Sequence, residues 1–214
     1  MSADRFTPVD RIPGLMRVEN TDREELLAHC LAAPGPAQAD ERYCTVEEHV
    51  DCPPERAYDY LRVLHNLQEW TYSVRDLEPA GAPGLSAGYD RIEEGTRIFC
   101  RVVANPDAMT IDYHCSWDQG DRLWMIYLMR VVPAALVLDR PGSVITWTNC
   151  RHPYYDANPY PRLAPSPDRP WVGRYWDLFR AGHTLELRNL KTILEYRHAN
   201  GEPVGRPPQP AVPR

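Results

Sequence analysis

Lysine is almost absent from this sequence, and no surplus of basic charge replaces it. Lys191 is the only lysine among 24 basic residues, and 30 acidic residues leave a net charge of −6. Nucleic-acid-binding domains more often carry a basic surplus or a basic stripe along one face. We therefore expect no nucleic-acid partner.

Long hydrophobic runs are missing as well. No segment approaches the ~18 apolar residues that a membrane-spanning helix needs. The first residues, MSADRFTPVDRIPG, lack the apolar stretch of a signal peptide. From these two absences we expect a cytoplasmic protein with no membrane partner.

The common signatures of metal sites and catalytic loops are also absent. None of the six cysteines forms a CxxC pair, and no Cys–His spacing fits a zinc site. HExxH, GxSxG, GxxxxGK and GxGxxG do not occur. We expect reduced thiols, no metal and no cofactor, so any chemistry must come from side chains that surround a cavity.

What the sequence does contain is typical of a folded globule with an appendage at each end. Hydrophobic residues make up 43% and charged residues 25% of the chain. A capping-box pattern at Thr21–Glu24 predicts a short helix that ends before Pro34. We predict an N-terminal arm over 1–41 that contains this helix, a main domain over 42–201, and a flexible proline-rich tail over 202–214.

The main domain changes its hydrophobic period along the chain. Residues 43–50 are rich in strand formers, and an apolar stripe after Pro53 predicts one or two helices that end near Trp70. A helical pattern over 171–199 follows the long proline- and tyrosine-rich loop 152–170. Between them a period of two predicts strands at 73–78, 87–93, 96–104, 109–117, 123–132 and 143–151.

This order predicts an α+β fold with one curved antiparallel sheet. A sheet with one apolar face must bury that face against another element. The helix predicted over 171–199 is the only long element in the sequence that can pack there. A bent sheet that wraps around one helix leaves an internal cavity between them. The predicted architecture is therefore a helix-grip fold.

Three stretches of the chain resemble the START-like (SRPBCC) superfamily, and within it the aromatase/cyclases of type II polyketide pathways. The first is residues 46–70, where Pro53 and Pro54 open a helix and Asn66 precedes Trp70. The second is the strand block 96–151. The third is residues 189–198, similar to the end of the family's C-terminal helix.

The resemblance implies a polyketide cyclase that folds a poly-β-ketone by aldol condensation and dehydration in a hydrophobic cavity, as part of antibiotic or other secondary metabolism. An acyl carrier protein would deliver the chain, and the protein would be a monomer or a homodimer. Two alternatives stay open, a cyclase for an untethered intermediate and a non-catalytic carrier of a hydrophobic small molecule. Several convergent polar groups in the cavity would favour an enzyme, and an apolar lining would favour a carrier.

Strand alternation predicts which side chains line this cavity. In 109–117, alternation turns Tyr113 inward with Ile111, Cys115 and Trp117. In 123–132 the family comparison favours Met125, Tyr127 and Met129 as the inward residues. In 143–151 it favours Ile145, Trp147 and Asn149. We expect Trp70, Tyr113, Tyr127, Trp147, Asn149 and Phe179 to bind substrate.

The predicted catalytic residues are Arg101, Tyr72 and His183. On strand 96–104 apolarity favours Ile98, Cys100 and Val102 as the inner face, whereas the family resemblance favours Arg101, and we place Arg101 inside as the group that stabilises an enolate. The resemblance also implies that Tyr72 is a cavity tyrosine that relays a proton. His183 lies on the apolar stripe of the long helix and would act as an acid–base group, or else as an ordinary core histidine. We also expect loop 152–170 to cover the mouth of the cavity.

Overall fold

Seven antiparallel strands form one curved sheet in the computed structural model, which describes residues 6–32 and 42–205. The strand order is β1-β7-β6-β5-β4-β3-β2, so only the pairing of β1 with β7 joins strands far apart in sequence. The strands are β1 (Tyr43–Val50), β2 (Val74–Pro79), β3 (Ser86–Asp90), β4 (Thr96–Asn105), β5 (Thr110–Trp117), β6 (Met125–Pro133) and β7 (Ser143–Cys150). The α+β helix-grip prediction is confirmed.

Five α-helices accompany the sheet in the described ranges. They are α1 (Arg23–Ala32), α2 (Pro54–Leu61), α3 (Leu67–Trp70), α4 (Ala134–Val137) and α5 (Trp176–Ala199). Helix α5 begins later than predicted, because Val172–Tyr175 forms a 3-10 turn in which Gly173 packs against the Tyr155 carbonyl. A Cβ at Gly173 would lie 1.4 Å from that oxygen. None of the described helices is long and apolar enough to cross a bilayer.

The inner face of the sheet packs against α5 as the alternation predicts. Trp147 and Asn149 on β7 are buried, and so are Met129 on β6 and Tyr113 on β5. Leu187, Leu190 and Leu194 of α5 belong to the same core. The apolar stripe of α5 therefore packs against the inner face of the sheet.

The N-terminal arm docks on α5 and on the segment after α3. Leu26 and Cys30 of α1 pack with Leu178 and Leu185 of α5. The Val18 N–H donates to the Tyr72 carbonyl over 3.3 Å. Through these contacts the arm supports the segment that carries Tyr72.

The beginning of the predicted flexible tail is held in place. The Glu202 carboxylate accepts from the Thr7 N–H at 2.8 Å and from its hydroxyl at 2.7 Å, and Glu202 is buried. Glu202, at the beginning of the predicted flexible tail, is therefore bonded to the folded part of the chain. The rest of the predicted tail, 206–214, lies outside the described residues, as do 1–5 and 33–41 of the predicted arm.

Candidate functional site

A cavity of about 80 Å³ lies between α5 and the inner face of the sheet. Aromatic side chains form part of its wall, and they include Trp70, Tyr113, Trp117, Tyr127, Trp147 and Phe179. Five of these six are predicted substrate-binding residues, and the sixth, Trp117, follows from the alternation of β5. Strand alternation predicted Tyr113 and Trp117 in this wall, and the family resemblance predicted Tyr127 and Trp147.

Edge-to-face contacts hold the aromatic wall together. The ring of Trp70 lies 5.4 Å from that of Trp147 at 88°, and 6.1 Å from that of Tyr113 at 66°. The Tyr113 hydroxyl donates to the Leu61 carbonyl over 2.5 Å, so this tyrosine is engaged in the fold. Such T-shaped pairs stabilise a wall beyond its buried area.

Three indole N–H groups of the wall have no acceptor. The Nε1 atoms of Trp70, Trp117 and Trp147 are buried, and no described residue accepts a hydrogen bond from them. A buried donor without a partner costs roughly 1–3 kcal/mol, which native proteins usually avoid. The wall therefore carries a capacity for hydrogen bonding that the described part of the fold does not use.

His183 lines the cavity and contacts three predicted residues. Its ring stacks on Trp147 at 4.0 Å and 22°, and it meets Tyr127 edge-on at 5.6 Å. Its Nε2 lies 3.5 Å from the Asn149 amide nitrogen. Asn149 is buried but does not line the cavity, and its link to the cavity is this contact with His183.

Glu186 is the cavity residue that the sequence analysis missed. It lies three residues after His183 on α5, lines the cavity and is 7% exposed. Its Oε2 is 3.5 Å from His183 Nδ1, an ion-pair distance, and His183 favours the charged form of this carboxyl. Burial raises the pKa of the Glu186 carboxyl, and His183 opposes this shift.

A second carboxyl, Asp90 at the end of β3, lines the same region. Its Oδ1 accepts from the Ile92 N–H at 3.0 Å, and the Ser73 side chain also hydrogen-bonds to it. Burial raises the pKa of Asp90 as well.

The signal that could have revealed Glu186 is its position in the sequence. A glutamate on the apolar stripe of a helix that packs against the sheet is exceptional.

Tyr72 lies in the cavity wall beside both carboxyls. Its ring packs against Gly182, where a Cβ would come within 2.6 Å of Tyr72 Cε1 and 2.8 Å of its hydroxyl. Burial and the neighbouring Glu186 raise the pKa of Tyr72 well above its usual value. The phenol therefore stays protonated and can donate a hydrogen bond.

Arg101 is not in the cavity, so the prediction that it points inward was wrong. On β4 the inner face is Ile98, Cys100 and Val102, and Ile98 lines the cavity. Arg101 has the opposite parity and lies across from His114 of β5 on the outer face. Apolarity indicated the correct face here, because burying three apolar side chains outweighs burying one unpaired guanidinium.

Loop 152–170 packs beside the cavity, and none of its residues lines it. Arg169 bonds to Asp118 and Thr96, and Asn158 accepts from the Gln119 amide over 2.6 Å. Directly after the loop, Trp171 stacks on Trp117 with 6.5 Å between the rings. The loop thus supports the wall from one layer outside.

The thiols and the acidic groups form no metal centre in the described ranges. All six cysteines are free, and five of them are buried. No cluster of three or more His, Cys, Asp or Glu side chains with metal-binding geometry occurs in residues 6–32 and 42–205.

Comparison with protein families and curated proteins adds one match. The family model described as a domain of unknown function, DUF8713, matches residues 42–146. This range covers the chain from the start of β1 into β7. No curated protein matches the sequence.

Solved structures similar to this one have low sequence identity. The Zhui aromatase/cyclase from Streptomyces sp. R1128 is 13% identical, with a TM-score of 0.51 over 75% of this chain and 98% of that one. XoxI from Bacillus cereus is 12% identical, with a TM-score of 0.50 over 72% of this chain and 95% of that one. A START superfamily protein from Mycobacterium smegmatis is 15% identical, covers 72% and 98%, and has a TM-score of 0.46. At this identity the likeness establishes the fold alone, and this chain has a helix-grip fold like that of the Zhui aromatase/cyclase.

Proposed function

We propose that the protein is a polyketide cyclase that folds a poly-β-ketone by aldol condensation and dehydration. One observation carries the proposal: four ionisable side chains line the same cavity as the aromatic wall. These side chains are His183, Glu186, Asp90 and Tyr72. A carrier of hydrophobic molecules has no need of buried carboxyls, since burying them costs free energy.

The chemistry of aldol condensation matches these groups. An acid–base group removes a proton next to a ketone, and a donor stabilises the negative charge that develops on the carbonyl oxygen. We assign proton transfer to the part of the cavity that His183 lines, and the donor role to the protonated hydroxyl of Tyr72. Tyr72 takes the place of Arg101 as the group that stabilises the enolate.

The unpaired indoles support a ligand rich in carbonyl groups. Trp70, Trp117 and Trp147 each bury an N–H without an acceptor. A poly-β-ketone presents a carbonyl oxygen on every second carbon, whereas a hydrocarbon presents none. Pairing these donors with ligand oxygens would remove a cost that the ligand-free fold carries.

A polyketide chain is larger than the cavity as it stands. Ligand pockets usually hold about 300–1,000 Å³, and this cavity holds about 80 Å³. Our proposal therefore includes an outward movement of the half-buried Phe179 and Trp171, which lie beside Trp117. An acyl carrier protein would bring the chain to this opening.

A reconstituted synthase that makes carrier-bound poly-β-ketone chains tests the proposal. Adding the protein should convert a mixture of spontaneous cyclisation products into one dominant product, measured by mass spectrometry. His183→Phe keeps an aromatic ring on Trp147 and should slow product formation by roughly 100-fold. An unchanged product mixture with the wild-type protein would refute catalysis.

The small volume of the cavity favours one second candidate, a non-catalytic carrier for a compact hydrophobic molecule. Such a carrier would protect the chain or a product without changing the distribution of products. Co-purification of a bound molecule, together with an unchanged product mixture, would support the carrier.

A further inference from the structure

We propose that Glu186 is the residue that removes and returns the proton, and that His183 is a positioning residue that holds the Glu186 carboxylate. This assignment rests on the proposed function and names the group that acts at its site. It differs from the sequence-based hypothesis, in which His183 itself transfers the proton.

Both ring nitrogens of His183 face protein groups. Nε2 lies 3.5 Å from the Asn149 amide nitrogen, which can only donate, so Nε2 is the acceptor in this contact. The proton of the neutral ring then belongs on Nδ1, which faces Glu186 Oε2 at 3.5 Å. The flat faces of the ring are also occupied, because His183 stacks on Trp147 at 4.0 Å.

Glu186 by contrast is held in place while remaining at the cavity surface. The backbone N–H of Tyr72 hydrogen-bonds to its carboxylate, and His183 approaches Oε2. A carboxylate has about four acceptor positions, so these contacts leave capacity for a substrate C–H. Glu186 lines the cavity.

Four groups on other elements face this carboxylate, in addition to His183 on its own helix. They are Tyr72 after α3, Asp90 on β3, Cys30 on α1 and Tyr127 on β6. None of the four is a cation, and Asp90 repels the Glu186 charge. Burial and this repulsion raise the pKa of Glu186, and a raised pKa makes a carboxylate a better general base.

The proposed step balances as follows. The Glu186 carboxylate takes an α-proton, and the C–H electron pair becomes the enolate, whose oxygen accepts a hydrogen bond from Tyr72. The enolate carbon attacks a second carbonyl, and the resulting alkoxide receives the proton back from Glu186. In the dehydration, Glu186 takes the remaining α-proton and returns it to the departing hydroxyl, so that water leaves.

A ligand-free titration provides the first test. The carboxyl carbon of Glu186 is followed by NMR in ¹³C-glutamate-labelled protein and assigned by its loss in Glu186→Gln. We expect a midpoint above the range of exposed glutamates, and a further upward shift in His183→Phe, since that change removes the partner that favours the charged form. An ordinary midpoint, or one that His183→Phe leaves unchanged, would overturn the pairing.

A 1,3-diketone provides the second test. Benzoylacetone is incubated with the protein in D₂O, its α-proton exchange is measured above the buffer background, and its binding is followed by tryptophan fluorescence. Glu186→Gln should lower the exchange rate by about 100-fold or more and change the dissociation constant little. Asp177→Asn removes an exposed carboxylate from the same helix and should exchange at the wild-type rate.

The two failures are distinguishable. Exchange at the wild-type rate by Glu186→Gln would overturn the role of Glu186 and leave the proposed function standing. A wild-type protein that binds the diketone without accelerating exchange would overturn the proposed function, and the acid–base role with it. A pH midpoint for exchange that His183→Phe does not move would overturn the positioning role alone.

Discussion

Helix α5 carries two buried ionic clusters that differ in how completely their hydrogen bonds are made. Near its C-terminal end, Arg197 is 0% exposed and its Nη1 donates to Glu69 Oε2 at 2.9 Å. The Tyr60 hydroxyl donates to the same oxygen at 2.8 Å, and Phe6 covers the guanidinium at 4.5 Å. Only Nε of Arg197 is without a partner in the described residues.

The other cluster, His183 with Glu186, lies nearer the beginning of α5 and is loosely bonded. Its closest approach is 3.5 Å, and three neighbouring indole N–H groups have no acceptor among residues 6–32 and 42–205. Buried polar groups normally find partners, so a concentration of exceptions marks a place where something other than stability determines the residues. The comparison shows that the hydrogen bonds of Arg197 are nearly complete, whereas those around His183 are not, which supports the role that we propose for the His183 cluster.

The largest effect we expect comes from breaking the well-bonded cluster. Arg197→Met leaves the Glu69 carboxylate buried without its cation, which should cost about 3–5 kcal/mol of unfolding free energy. Urea denaturation measures this loss. A double variant that also carries Glu69→Leu should recover much of it, while the exposed Arg188→Ala should stay within about 0.5 kcal/mol of wild type. A small effect of Arg197→Met would remove the distinction between the two clusters.

Gly182→Ala tests the close packing at the candidate site. The added methyl would meet Tyr72 Cε1 at 2.6 Å, so the ring must move, at a cost of roughly 1–3 kcal/mol. Thermal denaturation measures the loss, and the double variant with Tyr72→Ala should remove the clash. If Gly182→Ala alone is as stable as wild type, Tyr72 is not fixed where we place it.

Glu186→Gln should stabilise the protein at neutral pH, unlike Glu69→Gln in the well-bonded cluster. The pKa of Glu186 is raised in the fold by burial, so ionising it costs free energy in the folded state. Wild type does not incur this cost below the ordinary glutamate pKa and incurs it in full above the raised pKa of Glu186. The stability gained by Glu186→Gln should therefore appear as the pH rises between these two pKa values. Melting temperatures at pH 4 and pH 8 check the sign, with Asp177→Asn as the control.

The smallest effect on the site should come from Arg101→Ala. Arg101 lies on the outer face of β4, so the affinity for benzoylacetone and the exchange rate should match those of wild type. Arg97→Ala, on the same face of the strand, is the matched control. A large loss of exchange in Arg101→Ala alone would support the catalytic role that the sequence analysis assigned to it.

At the site, the main difference between sequence and structure is at a position where two signals conflict. On β5 the alternation is clear and Tyr113 is buried, and on β7 the family resemblance favoured Trp147 and Asn149, which are also buried. On β4 the family resemblance favoured Arg101 against the apolar pattern, and the pattern was right. Glu186 was overlooked because a charged residue next to an apolar stripe is normally assigned to the solvent-exposed face of the helix.

The sequence by itself determined the order of elements, the face of α5 that meets the sheet and the inward position of Tyr113 and Trp117, because periods of two and 3.6 are local properties of the backbone. Only the tertiary structure decided that Glu186, Asp90 and Tyr72 meet. They come from α5, β3 and the segment after α3, and Tyr72 fits there because Gly182 leaves room for its ring. The pKa of Glu186 likewise depends on burial by elements distant in sequence, which no local pattern encodes.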